Sequence, residues 1–196
     1  MGSKSFNGWS TTRTSYLYRS VWGSIRQDVL VNEAGQVTEY TYVEHPGSVF
    51  IVPVTAEGDI LLVKAFRHTL RGYCWEVPAG AVARDKDEDP RSAAERELAE
   101  ELGASCSNLI SLGNFFLANG FAHHLAHFFL AENVRLDREQ RLDAFEHIAE
   151  VKRLNPTSIE AAIRTEINDG DSAFAILLAM QYIRNTAVPN TQGVIK

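Results

Sequence analysis

The chain has 196 residues, 45% of them hydrophobic and 22% charged. That composition fits one globular domain with a sizeable core, or one such domain with an appended subdomain. The formal net charge of −6 argues against a broad nucleic-acid-binding face, which needs clustered Lys and Arg. It leaves room for small anionic ligands, because bound divalent ions reverse the local sign.

No run approaches the roughly 18 apolar residues of a membrane-spanning helix. The first residues, MGSKSFNGWS, lack the apolar stretch of a signal peptide and, with Phe6 where Ser or Thr is required, miss the myristoylation pattern. Cys74 and Cys106 make no disulfide framework and suit a reducing compartment as packing residues. A soluble, cytoplasmic protein without nucleic-acid or membrane partners is expected.

Residues 1–12 are polar and read as loose. From Tyr16 to about Val43 three short strands are expected, SYLYRSVW, SIRQDVLV and VTEYTYVE, with Asn32-Glu33-Ala34-Gly35 as the turn between the last two. They form a small antiparallel module over residues 1–47, closed by His45-Pro46-Gly47. Ser48–Thr55 and Ile60–Phe66 follow as apolar strands buried on both faces. Tyr73–Pro78 is a short strand, Leu109–Phe116 and Leu125–Leu130 are strand-like, and 134–146 reads as a polar loop. After the strand Val151–Leu154, a helix begins at Asn155 and Pro156, with Thr157 and Glu160 at capping-box spacing. A last helix runs from Asp171, as its cap, to about Arg184. The main domain spans 48–185 and residues 186–196 are a tail. Mixed strands with a few helices place the chain in the α/β class, as a helix–sheet–helix sandwich preceded by the β module.

One stretch, Gly80 to Ala104, organises the rest. Asp89 is a good N-cap, Pro90 suits the first helical position, and Gly103 stops the helix after Leu102. At about 100° per residue Ala94, Leu98 and Leu102 make a core stripe, and Glu97, Glu100 and Glu101 fall within roughly a 100° arc beside it. Like-charged helical pairs cost about 0.2–0.5 kcal/mol each, so a cation belongs there. Mg²⁺ or Mn²⁺, hard ions with oxygen ligands that bring phosphates with them, are the natural occupants. The alternative is a solvated acidic helix face.

The run Arg96-Glu97-Leu98-Ala99-Glu100-Glu101-Leu102-Gly103-Ala104, with Glu88 and Gly80 ahead of it, resembles the Nudix box. Seven residues separate Gly80 from Glu88 where the usual pattern has five, and the extra pair falls in the polar loop Arg84–Asp87, where insertion is cheap. Residues 47–54, Gly58 to His68, Trp75-Glu76-Val77-Pro78-Ala79-Gly80, Asn119-Gly120-Phe121 and His127 to Ala131 are similar to the ADP-ribose pyrophosphatase branch of that family. The resemblance covers roughly residues 16–185. It implies the Nudix fold, an α/β/α sandwich with a mixed sheet. It also implies divalent-metal-dependent cleavage of the diphosphate of a nucleotide sugar, and a homodimer whose strands 1–47 contact the partner.

The same resemblance assigns candidate residues. Glu97, Glu100, Glu101 and the Ala79 carbonyl would be metal ligands, and Gly80 would permit the close approach. Arg96 would pair with Glu88 to fix the helix. Arg67 would lie near the substrate phosphates, or else make a surface ion pair. Glu76 would lie near the nucleoside end. Trp75 would stack on a base or pack in the core. Glu146 best matches the family's loop glutamate as general base, with Glu150, Glu139 and Asp143 as rivals, while Glu100 is also catalytic in this reading. Gly120 would face substrate. Two departures sit beside it: Asn119 stands where many ADP-ribose enzymes have proline, and His124 where they have an acid, so another nucleoside diphosphate sugar such as GDP-mannose or UDP-glucose is the competing substrate. His123, His124 and His127 read as structural or substrate-contacting, since no metalloprotease glutamate follows His123. A non-catalytic Nudix-like module that binds a nucleotide sugar is the alternative function.

Overall fold

The computed structural model describes residues 5–83 and 87–187, and the chain forms two compact units. One comprises Met1–Gly47 with Phe115–Ala126, the other Ser48–Asn114 with His127–Lys196. The extra pair expected within Arg84–Asp87 and most of the expected tail lie outside the described residues.

The first unit is a meander of β1 (Ser5–Phe6), β2 (Trp9–Ser20), β3 (Gly23–Asn32) and β4 (Val37–Glu44), each antiparallel to the next. The start of β11 (Ala122–Leu136) adds a parallel pairing, Ala122 with Val43. The turn after β3 is where the sequence put it, closed by the Gly35 N–H on the Asn32 carbonyl at 3.0 Å with Gly35 at φ 77°. Residues 9–12, by contrast, are not loose: β2 starts at Trp9, opposite Asn32. The run Trp9-Ser10-Thr11-Thr12 has no apolar alternation because this sheet is half exposed, and its backbone ladder carries what burial would otherwise supply. Among the described residues of this unit the buried charge is Asp28, which accepts from Thr14 Oγ1 at 2.7 Å and Arg26 Nε at 3.0 Å.

In the second unit the sheet order is β11, β5 (Ser48–Thr55), β6 (Ile60–Arg67), β12 (Ile148–Leu154). Onto it pair β7 (Gly72–Glu76), β8 (Ala79–Ala81) and β9 (Ala104–Ser105), while β10 (Asn108–Leu117) pairs with β11. Alternation along β5 sorts its side chains to two faces. Val49 and Ile51 join Leu61 and Val63 against Ala93, Ala94, Leu98 and Leu102 of α1 (Pro90–Leu102). Phe50 points the other way and stacks on Phe128 at 5.2 Å, which meets Phe174 of α3 (Gly170–Ala187) edge-on at 5.3 Å. Each fully buried aliphatic side chain contributes about 1.5–3 kcal/mol. Two helices thus cover opposite faces of this sheet, the α/β layering expected.

The caps decide where helices begin. Asp89 accepts from the Arg91 and Ser92 N–H groups at 2.9 and 3.2 Å, and Gly103 takes the left-handed conformation at φ 60°. The Thr157–Glu160 box does not form. Asn155 caps instead, accepting from the Thr157 N–H at 3.0 Å, and starts a 3₁₀ turn, Pro156–Ser158, ahead of α2 (Ile159–Thr165). Likewise Asp169, not Asp171, caps α3, its Oδ2 accepting from the Ser172 N–H at 2.8 Å. Strand β11 runs on to Leu136, three residues into the stretch expected to be loop.

Candidate active site

Helix α1 is amphipathic in an unusual sense, because two of its glutamates face inward. Glu97 and Glu101, one turn apart, are buried with Ala94, Leu98 and Leu102. The exposed Glu146 reaches them from the loop before β12, and a carboxylate oxygen from each of the three lies within 4.8 Å of the others. Burial pushes the Glu97 carboxyl up to about 7, against the pull of Arg96. Burial, reinforced by the charges of Glu97 and Glu146, holds Glu101 well above the ordinary carboxylate range. Oxygen donors whose ionised form is this penalised suit a hard divalent cation, which would offset the charge. The donor set therefore fits a divalent cation.

Glu100 is placed differently. Its Oε2 accepts from Arg96 Nη1 at 2.8 Å, and it stands outside the group of three. Arg96 is the hub of the helix face. It donates to both Glu88 oxygens at 2.9 and 3.1 Å, to Glu97 Oε1 at 2.7 Å and to the Ala81 carbonyl at 3.0 Å. The expected Arg96–Glu88 pair is present, and it ties the helix to the chain ahead of it. Ala79, in β8, donates its N–H to Glu101 Oε2 at 3.3 Å.

Arg67 and Glu76 meet across the β6–β7 hairpin. Glu76 is buried, and both its oxygens accept from Arg67 Nε, at 2.9 and 3.0 Å, with a further bond from Nη2. The sequence reading weighed these two residues separately, although hairpin pairing at this spacing puts Arg67 and Glu76 on one face. Trp75 leaves β7 on the opposite face. It pairs in register with Lys64, and the Lys64 and Lys152 amines each lie 5.5 Å from its ring centroid. Adjacent positions in a strand are thereby separated, and Trp75 does not share the Arg67–Glu76 face.

Gly120 belongs to the first unit, where its carbonyl accepts from Tyr40 Oη at 2.9 Å. His124 stacks on His45 with ring centroids 3.9 Å apart, and His123 tilts against Phe116 at 5.3 Å. Burial lowers the pKa of His124 and of His127. Among the described residues no histidine joins a three-ligand group. Cys74 and Cys106 are free, and burial raises both thiols.

A helix carrying buried carboxylates, a loop carboxylate closing on them and an arginine held by a buried glutamate make up the candidate site of an α/β enzyme. The chain belongs to the NUDIX family, whose domain model matches residues 44–174, and is a Nudix hydrolase. It is 35% identical over 143 residues to an ADP-ribose pyrophosphatase of Bacillus subtilis (strain 168), covering 72% of this chain and 76% of the relative. It is 31% identical over 143 residues to a methanol dehydrogenase activator of Bacillus methanolicus, covering 69% and 76% respectively. The crystal structure of an ADP compounds hydrolase superposes with a TM-score of 0.78 over 94% of this chain and 98% of that one. At 19% identity that is a likeness of fold.

Proposed function

We propose that this Nudix hydrolase cleaves the diphosphate of ADP-ribose, or of a related nucleoside diphosphate sugar, to a nucleoside monophosphate and a sugar phosphate. From ADP-ribose the products are AMP and ribose 5-phosphate. The observation that carries the reading is the convergence of Glu97, Glu101 and Glu146 within 4.8 Å, and the pyrophosphatase relative supports the substrate class. In this reading Glu97 and Glu101, with Glu100 and the Ala79 carbonyl, hold Mg²⁺, or Mn²⁺ in its place. A bound divalent ion neutralises diphosphate charge and acidifies water. Glu146 takes the proton of the attacking water. Arg67, its Nε and Nη2 held by Glu76, keeps Nη1 donors for a phosphate oxygen. The intact set of Arg96, Glu97, Glu100 and Glu101 favours catalysis over a binding-only module.

The same reading takes residues 1–47 as a dimerisation module, 48–185 as the hydrolase domain and 186–196 as a tail, in a cytoplasmic homodimer. Exposed apolar side chains in the first unit, among them Val21 at 83% and Trp22 at 64% exposure, support a partner surface there. The free cysteines suit a reducing compartment. The test of function is a colorimetric phosphate assay with added phosphatase, run with Mg²⁺ over a panel of nucleotide sugars. Release of phosphate groups from none of them defeats the proposal.

A further inference from the structure

The last turn of α1 is finished by the loop that carries Glu146. A helix leaves its final carbonyls without intrahelical partners, and here the loop supplies them. The Gly103 carbonyl accepts from the Asp137 and Arg138 N–H groups at 3.1 and 2.8 Å, and the Glu100 carbonyl from the Arg141 N–H at 2.9 Å. The Glu101 carbonyl accepts from the Gln140 side-chain amide. Gly103 is shaped for the same approach, since a Cβ there would lie 2.3 Å from the Arg138 carbonyl oxygen and 3.0 Å from the Gln140 nitrogen.

Beyond this dock the chain turns at Asp143–Glu146, with the Glu146 N–H on the Asp143 carbonyl at 2.9 Å and Glu146 Oε2 accepting from the Asp143 N–H at 3.0 Å. It is tied again at the His147 carbonyl, which accepts from the Phe66 N–H at 2.9 Å. Glu146 thus stands between two anchors. One is strand β6; the other is the backbone of the very residues, 100 and 101, whose side chains belong to the candidate site. Of the first anchor's bonds, those from Asp137, Arg138 and Arg141 are made by the main chain, and the Gln140 bond by a side chain.

We propose that Gln140 is a positioning residue for Glu146: its amide, bonded to the Glu101 carbonyl, sets the distance of the loop carboxylate from Glu97 and Glu101. This rests on the reading of Glu146 as the group that takes the proton. Gln140 is exposed, so its replacement leaves the core intact. Gln140→Glu keeps the shape and removes the donor, while Gln140→Lys keeps a donor that a helix C-terminus favours.

The experiment measures kcat and KM for ADP-ribose at saturating Mg²⁺ in four variants: Gln140→Glu, Gln140→Lys, Glu146→Gln and the double variant Gln140→Glu/Glu146→Gln. The expected result is a fall in kcat of about tenfold or more for Gln140→Glu with KM nearly unchanged, and recovery of most of it in Gln140→Lys. Because Gln140 acts through Glu146, the double variant should be no slower than Glu146→Gln alone. Unchanged kcat in Gln140→Glu, a loss seen only in KM, no recovery in Gln140→Lys, or losses that multiply in the double variant each overturn the positioning role. Full activity of Glu146→Gln overturns the assignment of Glu146 itself, and the role of Gln140 with it.

Discussion

Gly80 and Glu97 are fitted to each other: a Cβ on residue 80 would lie 1.8 Å from Glu97 Oε1 and 2.0 Å from its Cδ. Glycine is required here by the bulk of the carboxylate above it, since the backbone of β8 forms the floor on which Glu97 rests. Gly80→Ala should therefore displace the Glu97 carboxylate. The expected outcome is a loss of activity of about tenfold or more with a cost of about 1–3 kcal/mol in stability, measured by steady-state kinetics and urea unfolding. Wild-type kinetics in Gly80→Ala would mean that Glu97 works from another position.

Glu101 is the more deeply committed carboxylate, buried and bonded to the Ala79 N–H. Glu101→Gln keeps its volume and removes charge and a ligand oxygen. Activity should be abolished by EDTA and restored by Mg²⁺ or Mn²⁺ in the wild type. In Glu101→Gln, turnover should fall by about a hundredfold or more while the circular dichroism spectrum stays unchanged. A well-folded Glu101→Gln protein with near-normal turnover defeats the assignment.

What could be read from the sequence was whatever local chemistry decides. Helix α1 was legible to the residue, because Asp89, Pro90 and Gly103 are signals that act within one turn. The caps of α2 and α3 were misplaced because Asn155 and Asp169 each sit two residues ahead of an equally good capping residue. Helical geometry put Glu97, Glu100 and Glu101 on one arc, but not the direction of each carboxylate, and Arg96, four residues back, draws Glu100 aside. Glu146 came only from resemblance, since nothing local ties a loop glutamate to a helix 45 residues earlier. The separation of Trp75 from Glu76 follows from strand alternation alone.

The ion pair at Asp28 gives the first unit a distinct acid response. Burial works to raise the Asp28 pKa, and the bonds from Arg26 and Thr14 with the Arg26 charge outweigh it, so the carboxyl titrates below its ordinary value of 3.8. A depressed carboxyl contributes stability that is present above its unfolded pKa and is lost as pH falls through the folded one. Asp28→Asn should cost about 1–3 kcal/mol near pH 7, because the bonds from Arg26 and Thr14 lose their charged acceptor and Arg26 keeps only Glu44, at 3.2 Å, as a carboxylate partner. That difference should shrink below pH 4. Urea midpoints at pH 7 and pH 3 measure both, and an equal cost at the two pH values contradicts the argument.

Tyr18, Ile25 and Val43 face one another across β2, β3 and β4, and all three are exposed, at 59, 39 and 36%. A row of this kind across three neighbouring strands is a poor surface to leave in water. Light scattering should give a dimer at micromolar concentration, and Ile25→Asp should shift it to monomer. A wild-type monomer under those conditions sinks the dimer reading.

Two departures in the sequence, Asn119 and His124, weigh against ADP-ribose as the substrate. His124 stands where many ADP-ribose enzymes resembling this chain have an acid, and its ring lies 3.9 Å from that of His45. Burial lowers the His124 pKa. That shift favours the neutral ring, which offers a hydrogen bond without a charge. A neutral donor does not repel an anionic substrate as a carboxylate would. ADP-ribose is expected to lead the panel by a modest margin in kcat/KM over GDP-mannose and UDP-glucose, and His124→Glu should widen it. Competing substrates measured side by side decide the matter. ADP-ribose trailing either competitor tenfold, about 1.4 kcal/mol of differential transition-state binding, would reverse the assignment.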